Sequence, residues 1–242
     1  IGLFFLLPLI YFFLKKKINS RYLSVCYLIM FLIIFQGIIG WYMVKSGLVN
    51  NITVSHYRLS LHLFVAFIII SLLFWNILNV KNNTVKNFFK KDNSYFSTTQ
   101  SILILLIYSQ IILGAFVSGL DAGKLYQTWP LMNYSYFPDD IQIKSILDFL
   151  DFKNLSLIQF YHRNLAYIIV LIILFIGYII VTKKMFHIAK HFYLVLFFLF
   201  LQVFLGIITL TSGLNIYLAS GHQICSLLLV ISVLNLHYNY IN

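Results

Sequence analysis

The apolar positions of this chain come in long unbroken runs rather than in alternation. Six of them, residues 22–44, 57–80, 101–120, 155–182, 191–214 and 216–237, each reach about the 20 residues a helix needs to cross a ~30 Å hydrocarbon layer. Inside such a layer every backbone amide and carbonyl must find its partner within the segment, so six transmembrane helices are predicted. A shorter run, residues 1–14, extends only about 21 Å at 1.5 Å per residue. It reads as the latter part of a helix that starts before Ile1. Its lysines follow the apolar run, where a secretory leader would carry its positive charge first.

The polar segments between the runs alternate in charge. Lys15, Lys16, Lys17, Arg21, Lys81, Lys86, Lys90, Lys91, Lys183, Lys184 and Lys190 fall at one end of the helices, with Asp92 as the single acid. Lys45, Arg58, Lys124, Lys144, Lys153 and Arg163 fall at the other, against Asp121, Asp139, Asp140, Asp148 and Asp151. The lysine-rich end is expected on the cytoplasmic side, which puts the long acidic loop at the outer face together with any site built on it. Composition agrees, because 61% hydrophobic and 10% charged residues leave too little polar surface to clothe a soluble domain. The net charge of +11 would suggest nucleic acid in a soluble chain, but here it is spread through short loops. The lipid bilayer is therefore the expected partner and nucleic acid is not. Cys26 and Cys225 fall at different depths, so no disulfide is expected and both read as small apolar fillers.

An internal repeat runs through the helices that rise toward the acidic end. Gln36, Gly40 and Ser46-Gly47-Leu48 recur as Gln110, Gly114 and Ser118-Gly119-Leu120, and again as Gln202, Gly206 and Ser212-Gly213-Leu214. Glutamine and glycine four residues apart share a helix face, where the glycine admits a close neighbour and the amide offers a hydrogen bond. Generic small-residue packing is the other reading. Each helix that follows carries a histidine about two turns from its start: His62, His162 and His222. The three fall at similar depth.

An ionisable side chain in a membrane helix is costly, and marks either function or a hydrogen bond between helices. Two imidazoles from facing helices suit the axial positions of a haem iron. Zinc, the competing metal, asks for a tetrahedral set with further Cys, His or carboxylate ligands, and the spans hold no glutamate and no clustered cysteines. His162 and His222 are expected to pair around one haem, and His62 to pair with a histidine preceding Ile1, so two haem sites are predicted. Arg58, one turn before His62, and Arg163, next to His162, are candidate partners for haem propionates, with snorkelling to the interface as the other reading. His56, His187, His191 and His237 fall at helix ends and read as interfacial. Asp139 and Asp140 read as an acid and base pair, or as a helix cap or solvated loop end. Trp129, Tyr126, Tyr134 and Tyr136 read as an aromatic belt or as cover for a haem edge.

Residues 114–140 set glycines, Trp129, two prolines and paired aspartates between apolar flanks, so this stretch is not another lipid-facing segment. Its Gly-Leu-Asp-Ala-Gly (119–123), Tyr-Gln-Thr-Trp-Pro-Leu-Met (126–132) and Pro-Asp-Asp (138–140) join several other motifs. These are Leu-Leu-Pro-Leu (6–9), Gly-Trp-Tyr-Met-Val-Lys-Ser-Gly-Leu (40–48), Tyr-Arg-Leu-Ser-Leu-His (57–62), Tyr-His-Arg (161–163) and Ser-Gly-His-Gln (220–223). Together they resemble the haem A synthase family in its proteobacterial and mitochondrial form.

The resemblance implies an all-α polytopic membrane protein made of a pseudo-symmetric pair of four-helix bundles. Six full helices and one partial helix would be present here, with residues 1–96 belonging to a substrate-haem half and 97–242 forming a cofactor-haem half. It further implies a b-type haem held by His162 and His222, with Arg163 beside it, and haem O held in the first half with His62 and Arg58. The implied reaction oxidises the C8 methyl of haem O, through two hydroxylations, to the formyl group of haem A for cytochrome oxidase. The family's catalytic residues are expected before Ile1, so the chain as it stands is expected to be incomplete for catalysis. A bacterial inner membrane, or the mitochondrial one, is the implied location. Candidate partners are a haem O synthase, an electron-transfer protein and a second copy of the chain. A di-haem b-type cytochrome that only transfers electrons is the alternative. A repeat-built transporter is a third, but the spans lack the paired broken helices of that class.

Overall fold

The computed structural model describes residues 2–47, 54–88, 94–142 and 145–241. Its helices are α1 (Gly2–Leu14), α2 (Ser20–Gly47), α3 (His56–Lys81), α4 (Tyr95–Gly119), α5 (Leu155–Thr182), α6 (Ala189–Thr211) and α7 (Ile216–Tyr240), with short 3-10 turns at Ala122–Lys124, Ile146–Leu150 and Phe186–Ile188. Six of these helices are long and apolar enough to cross a membrane, in the places the apolar runs predict. The chain is an all-α polytopic membrane protein. Ile1, Leu48, Lys90, Lys91, Asp92 and Lys144 lie outside the described residues.

The helices differ from the runs mainly at their ends. α4 begins at Tyr95, well ahead of residue 101, because the polar residues there hydrogen-bond locally instead of breaking the helix. Ser94 caps the helix by accepting from the Ser97 amide, while Thr99 and Ser101 donate back to the carbonyls of Tyr95 and Ser97. α3, α5 and α6 stop where Asn83, Lys184 and Gly213 turn left-handed, and the next amide reaches back to the carbonyls of Asn79, Ile180 and Thr209. The Ser-Gly-Leu of the third repeat copy is thus a helix stop. In the second copy Gly119 is still helical and serves a close contact instead.

Consecutive helices pack as antiparallel hairpins, and α7 also lies against α3 and α4. The main core joins Leu103, Ile107, Ile173, Ile176, Val195 and Val233, with Phe67 reaching in from α3. A smaller core gathers Ile29, Ile39, Val65 and Ile69 between α2 and α3, with Phe5 of α1 against it. Leu171, Phe200 and Ile224 are exposed, as lipid-facing residues of a bundle should be.

At the lysine-rich end the α3–α4 connection clasps the end of α7. The Lys86 ammonium donates to the Tyr238 carbonyl at 2.9 Å and to the Ile241 carbonyl, and sits 4.5 Å from the centre of the Tyr238 ring. Those carbonyls belong to the negative end of a helix dipole, which favours a cation. Thr84 and Tyr238 share a hydroxyl contact at 2.8 Å, and the Trp75 indole donates to the Lys86 carbonyl at 3.0 Å. His237, expected at the interface, is instead 2% exposed, between Gln100 Oε1 at 3.0 Å and the Phe88 carbonyl at 3.3 Å. His56 is a second correction: it is buried under Phe116 and Tyr57, because α3 lies tightly against α4 there, at Gly119. His187 is exposed and His191 is half-buried beside Asn235.

Candidate functional site

Three helix hairpins, α2–α3, α4–α5 and α6–α7, repeat one grip. In each, the repeat glycine makes room for the histidine of the following helix. A Cβ built on Gly40, Gly114 or Gly206 would lie 3.2, 3.2 or 3.0 Å from Cε1 of His62, His162 or His222. The repeat glutamine then engages the same histidine. Gln36 Nε2 donates to the His62 carbonyl at 2.9 Å, and Gln110 Nε2 to the His162 carbonyl at 2.9 Å. The Gln110 amide also lies 3.4 Å from His162 Nε2, and the Gln202 amide 3.2 Å from His222 Nε2.

The hydrogen bonds assign the proton on His222. Its Nδ1 lies 3.1 Å from the Gln202 carbonyl oxygen, which can only accept, so Nδ1 carries the hydrogen and Nε2 keeps its lone pair. His162 Nδ1 and His62 Nδ1 are buried and have no partner, and neither do Oε1 of Gln36, Gln110 and Gln202.

The loop between α4 and α5 folds over this end of the bundle. Tyr126 is buried and donates to Asp140 Oδ1 at 2.6 Å, while Ser156 at the start of α5 donates to Asp140 Oδ2 at 2.6 Å. The Tyr126 carbonyl accepts from Gln159 at 2.7 Å and from Arg163 at 3.0 Å, and Arg163 also donates to the Leu131 carbonyl at 3.2 Å. Tyr136 bonds Asn164, and Phe137 meets Phe160 edge-on at 5.1 Å. Gly123 seats the loop on Leu214 of the α6–α7 turn, so one segment covers both hairpins.

This corrects two expectations. Asp140 is a fastener between loop and helix, not a helix cap, a role Asn154 takes for α5. Tyr126 is buried, unlike Trp129, Tyr134 and Tyr136, which are exposed as belt residues would be. Ser156 and Gln159 were missed by the sequence reading. The signal was available, since Ser156, Gln159 and Arg163 stand at i, i+3 and i+7, a polar stripe along one face of a largely apolar helix.

Burial acts to raise the Asp140 carboxyl, but the hydrogen bonds from Ser156, Tyr126 and its own backbone amide outweigh it and hold the group below its ordinary value. Burial and the Asp140 carboxylate push the Tyr126 phenol up. A depressed carboxyl contributes its full stabilisation above the ordinary value of 3.8 and loses it as pH falls through the folded value. Hydrogen exchange at residues 126–136, corrected for its intrinsic pH dependence, should therefore rise as the pH drops below 3.8, and should already be fast at neutral pH in Asp140→Asn. Flat corrected exchange across that window would rule out the fastener.

Of the candidate site residues, Arg163 follows His162 on α5, with two donors committed to the loop and its Nε buried without a partner. His62 repeats on α3 the setting of His162. Arg58, near the start of that helix, lies 4.9 Å from the centre of the Tyr42 ring. Among the described residues no three His, Cys, Asp or Glu side chains gather as a tetrahedral metal site would need. Neutral imidazoles suit a haem better: His222 presents a lone pair at Nε2, and the buried, unpartnered Nδ1 of His162 leaves its ring free to adopt the same tautomer.

The fold and its histidines define an integral membrane protein in which each of three hairpins sets an imidazole against a glycine of the neighbouring helix. The chain matches the family described as cytochrome oxidase assembly protein over residues 1–234. It is 43% identical over 245 residues to a haem A synthase of Pelagibacter ubique, covering 100% of this chain and 70% of that protein. A haem A synthase of Rickettsia africae is 38% identical over 234 residues, covering 95% of this chain and 68% of the relative. One from Wolbachia pipientis of Culex pipiens is 39% identical over 228 residues, covering 94% and 66%. The chain belongs to the haem A synthase family of cytochrome oxidase assembly proteins.

Proposed function

We propose that this protein is a haem A synthase: an oxidoreductase that takes haem O and converts its C8 methyl to the formyl group of haem A for cytochrome oxidase. The observation that carries this reading within the family is the repeated glutamine, glycine and histidine grip. It sets three imidazoles at equivalent positions inside a membrane bundle that has no other metal-binding cluster among its described residues.

His162 and His222 would hold a b-type haem in the half formed by residues 97–242, and His62 would take haem O in the half formed by residues 1–96. The separate cores of α2–α3 and α4–α7 support that division, although Phe67 and the contacts of α7 with α3 tie the halves together. When bound, the b haem supplies one-electron redox chemistry. The chain's own residues orient it. Gly114 and Gly206 admit the rings, the Gln202 carbonyl fixes a tautomer, and the loop fastened by Asp140 and Arg163 keeps bulk water from that end. Arg163 Nε and the Arg58 guanidinium stand as propionate partners. The distribution of lysines supports a position for the sites toward the outer face of an energy-transducing inner membrane. A haem O synthase as supplier, an electron acceptor and a second copy of the chain are the protein partners this reading calls for.

The test is pigment analysis. Membranes containing the chain and a source of haem O should yield a formyl-bearing haem, identified by its mass and its pyridine haemochrome spectrum. Recovery of haem O and haem B alone would leave an electron-transferring cytochrome and overturn the reading.

A further inference from the structure

We propose that Gln110 and Gln202 are positioning residues: their side-chain amides set the ring orientation of His162 and His222 and cover the metal-facing nitrogen until iron takes it. This rests on the haem reading above.

The geometry separates these two glutamines from the third. At all three hairpins the glycine fixes how near the ring can lie. Only Gln110 and Gln202 bring an amide nitrogen to the imidazole Nε2, at 3.4 and 3.2 Å, while the contact recorded for the Gln36 amide is to the His62 carbonyl. At His222 the assignment is complete. Nδ1–H is given to the Gln202 carbonyl, so Nε2 is a lone pair and the amide must donate to it.

A bare lone pair in a membrane interior would be costly, and the amide relieves that cost without adding a charge. Close helix packing alone does not explain the glutamines. Each leaves its own Oε1 buried and unpartnered, a penalty that an alanine at the same position would not incur. What the glutamine adds is a donor at the nitrogen that must face iron, together with a held ring angle.

Methionine matches glutamine in length and cannot donate. In the metal-free full chain labelled with 15N-histidine, Gln110→Met and Gln202→Met should move the Nε2 resonances of His162 and His222 respectively, because the donor at that nitrogen is gone, and in the chain loaded with b haem each should shift the ferric low-spin electron paramagnetic resonance signal through the altered ring angle. Gln36→Met, which removes the same amide from the other hairpin, should leave that signal in place. Wild-type Nε2 resonances together with a wild-type paramagnetic resonance signal in both variants would overturn the proposal, provided His162→Ala and His222→Ala lose the haem. If those histidine variants keep it, the haem reading itself fails.

A second measurement needs no substitution. In metal-free wild-type protein labelled with 15N-histidine, His222 should report the Nδ1-protonated tautomer, and an Nε2-protonated ring would equally overturn the assignment.

Discussion

Replacing His222 or His162 by alanine should empty the proposed b-haem site. On the proposed pairing each ring would be a ligand of the b haem, and alanine offers nothing in its place. The loss should exceed the roughly 100-fold upper range seen when only an orienting neighbour of a ligand is removed. Haem per purified protein, read from the Soret band and the pyridine haemochrome, should fall to background in both variants. His62→Ala should retain this haem and lose haem O, because its grip belongs to the α2–α3 hairpin. Full pigment in either of the first two variants would remove the basis for the pairing.

Gly119→Val should be the most damaging substitution of a glycine. A Cβ at Gly119 would stand 2.8 Å from the Cβ and 2.9 Å from the Cα of His56, so the obstacle is backbone and relief requires α3 and α4 to part. Overpacking of this kind costs about 1–3 kcal/mol. Gly37→Ala is the matched control, since a Cβ there meets nothing within 4 Å and alanine favours a helix by about 1 kcal/mol over glycine. Denaturation in mixed detergent micelles, followed by loss of helical signal, should place the two variants on opposite sides of the wild type. Equal midpoints for Gly119→Val and wild type would mean that the α3–α4 contact yields freely.

The membrane helices were legible in the sequence because lipid selects for continuous apolar length, a property of single segments. α4 shows where that rule stops: its first turns are polar, yet they are helical because Ser94, Thr99 and Ser101 bond to their own backbone and Ser97 and Gln100 face protein. Periodicity revealed that glutamine, glycine and histidine recur, but not that the first two touch the third, since that contact depends on how adjacent helices are rotated. The same limit hid the burial of His56 and His237, whose places at helix ends suggested an interface. Arg163 beside His162 was visible, whereas its bonds to the carbonyls of Tyr126 and Leu131 depend on the path of a loop that no pattern encodes. Asp140 was noticed as an acid, but its partners lie 14 and 16 positions away along the chain.

The clasp formed by Lys86 has a mechanical meaning for the histidine at the far side of the bundle. A helix can spin about its own axis without breaking any internal hydrogen bond, and such a spin is the motion that would swing His222 away from its partner. Tyr238 lies on the same helix, about 24 Å along at 1.5 Å per residue, and is pinned there by an ammonium, a threonine hydroxyl and an indole-braced loop. The azimuth of α7 is thereby locked from the opposite membrane surface, so the aim of one imidazole is set in part by a lysine that never comes near it.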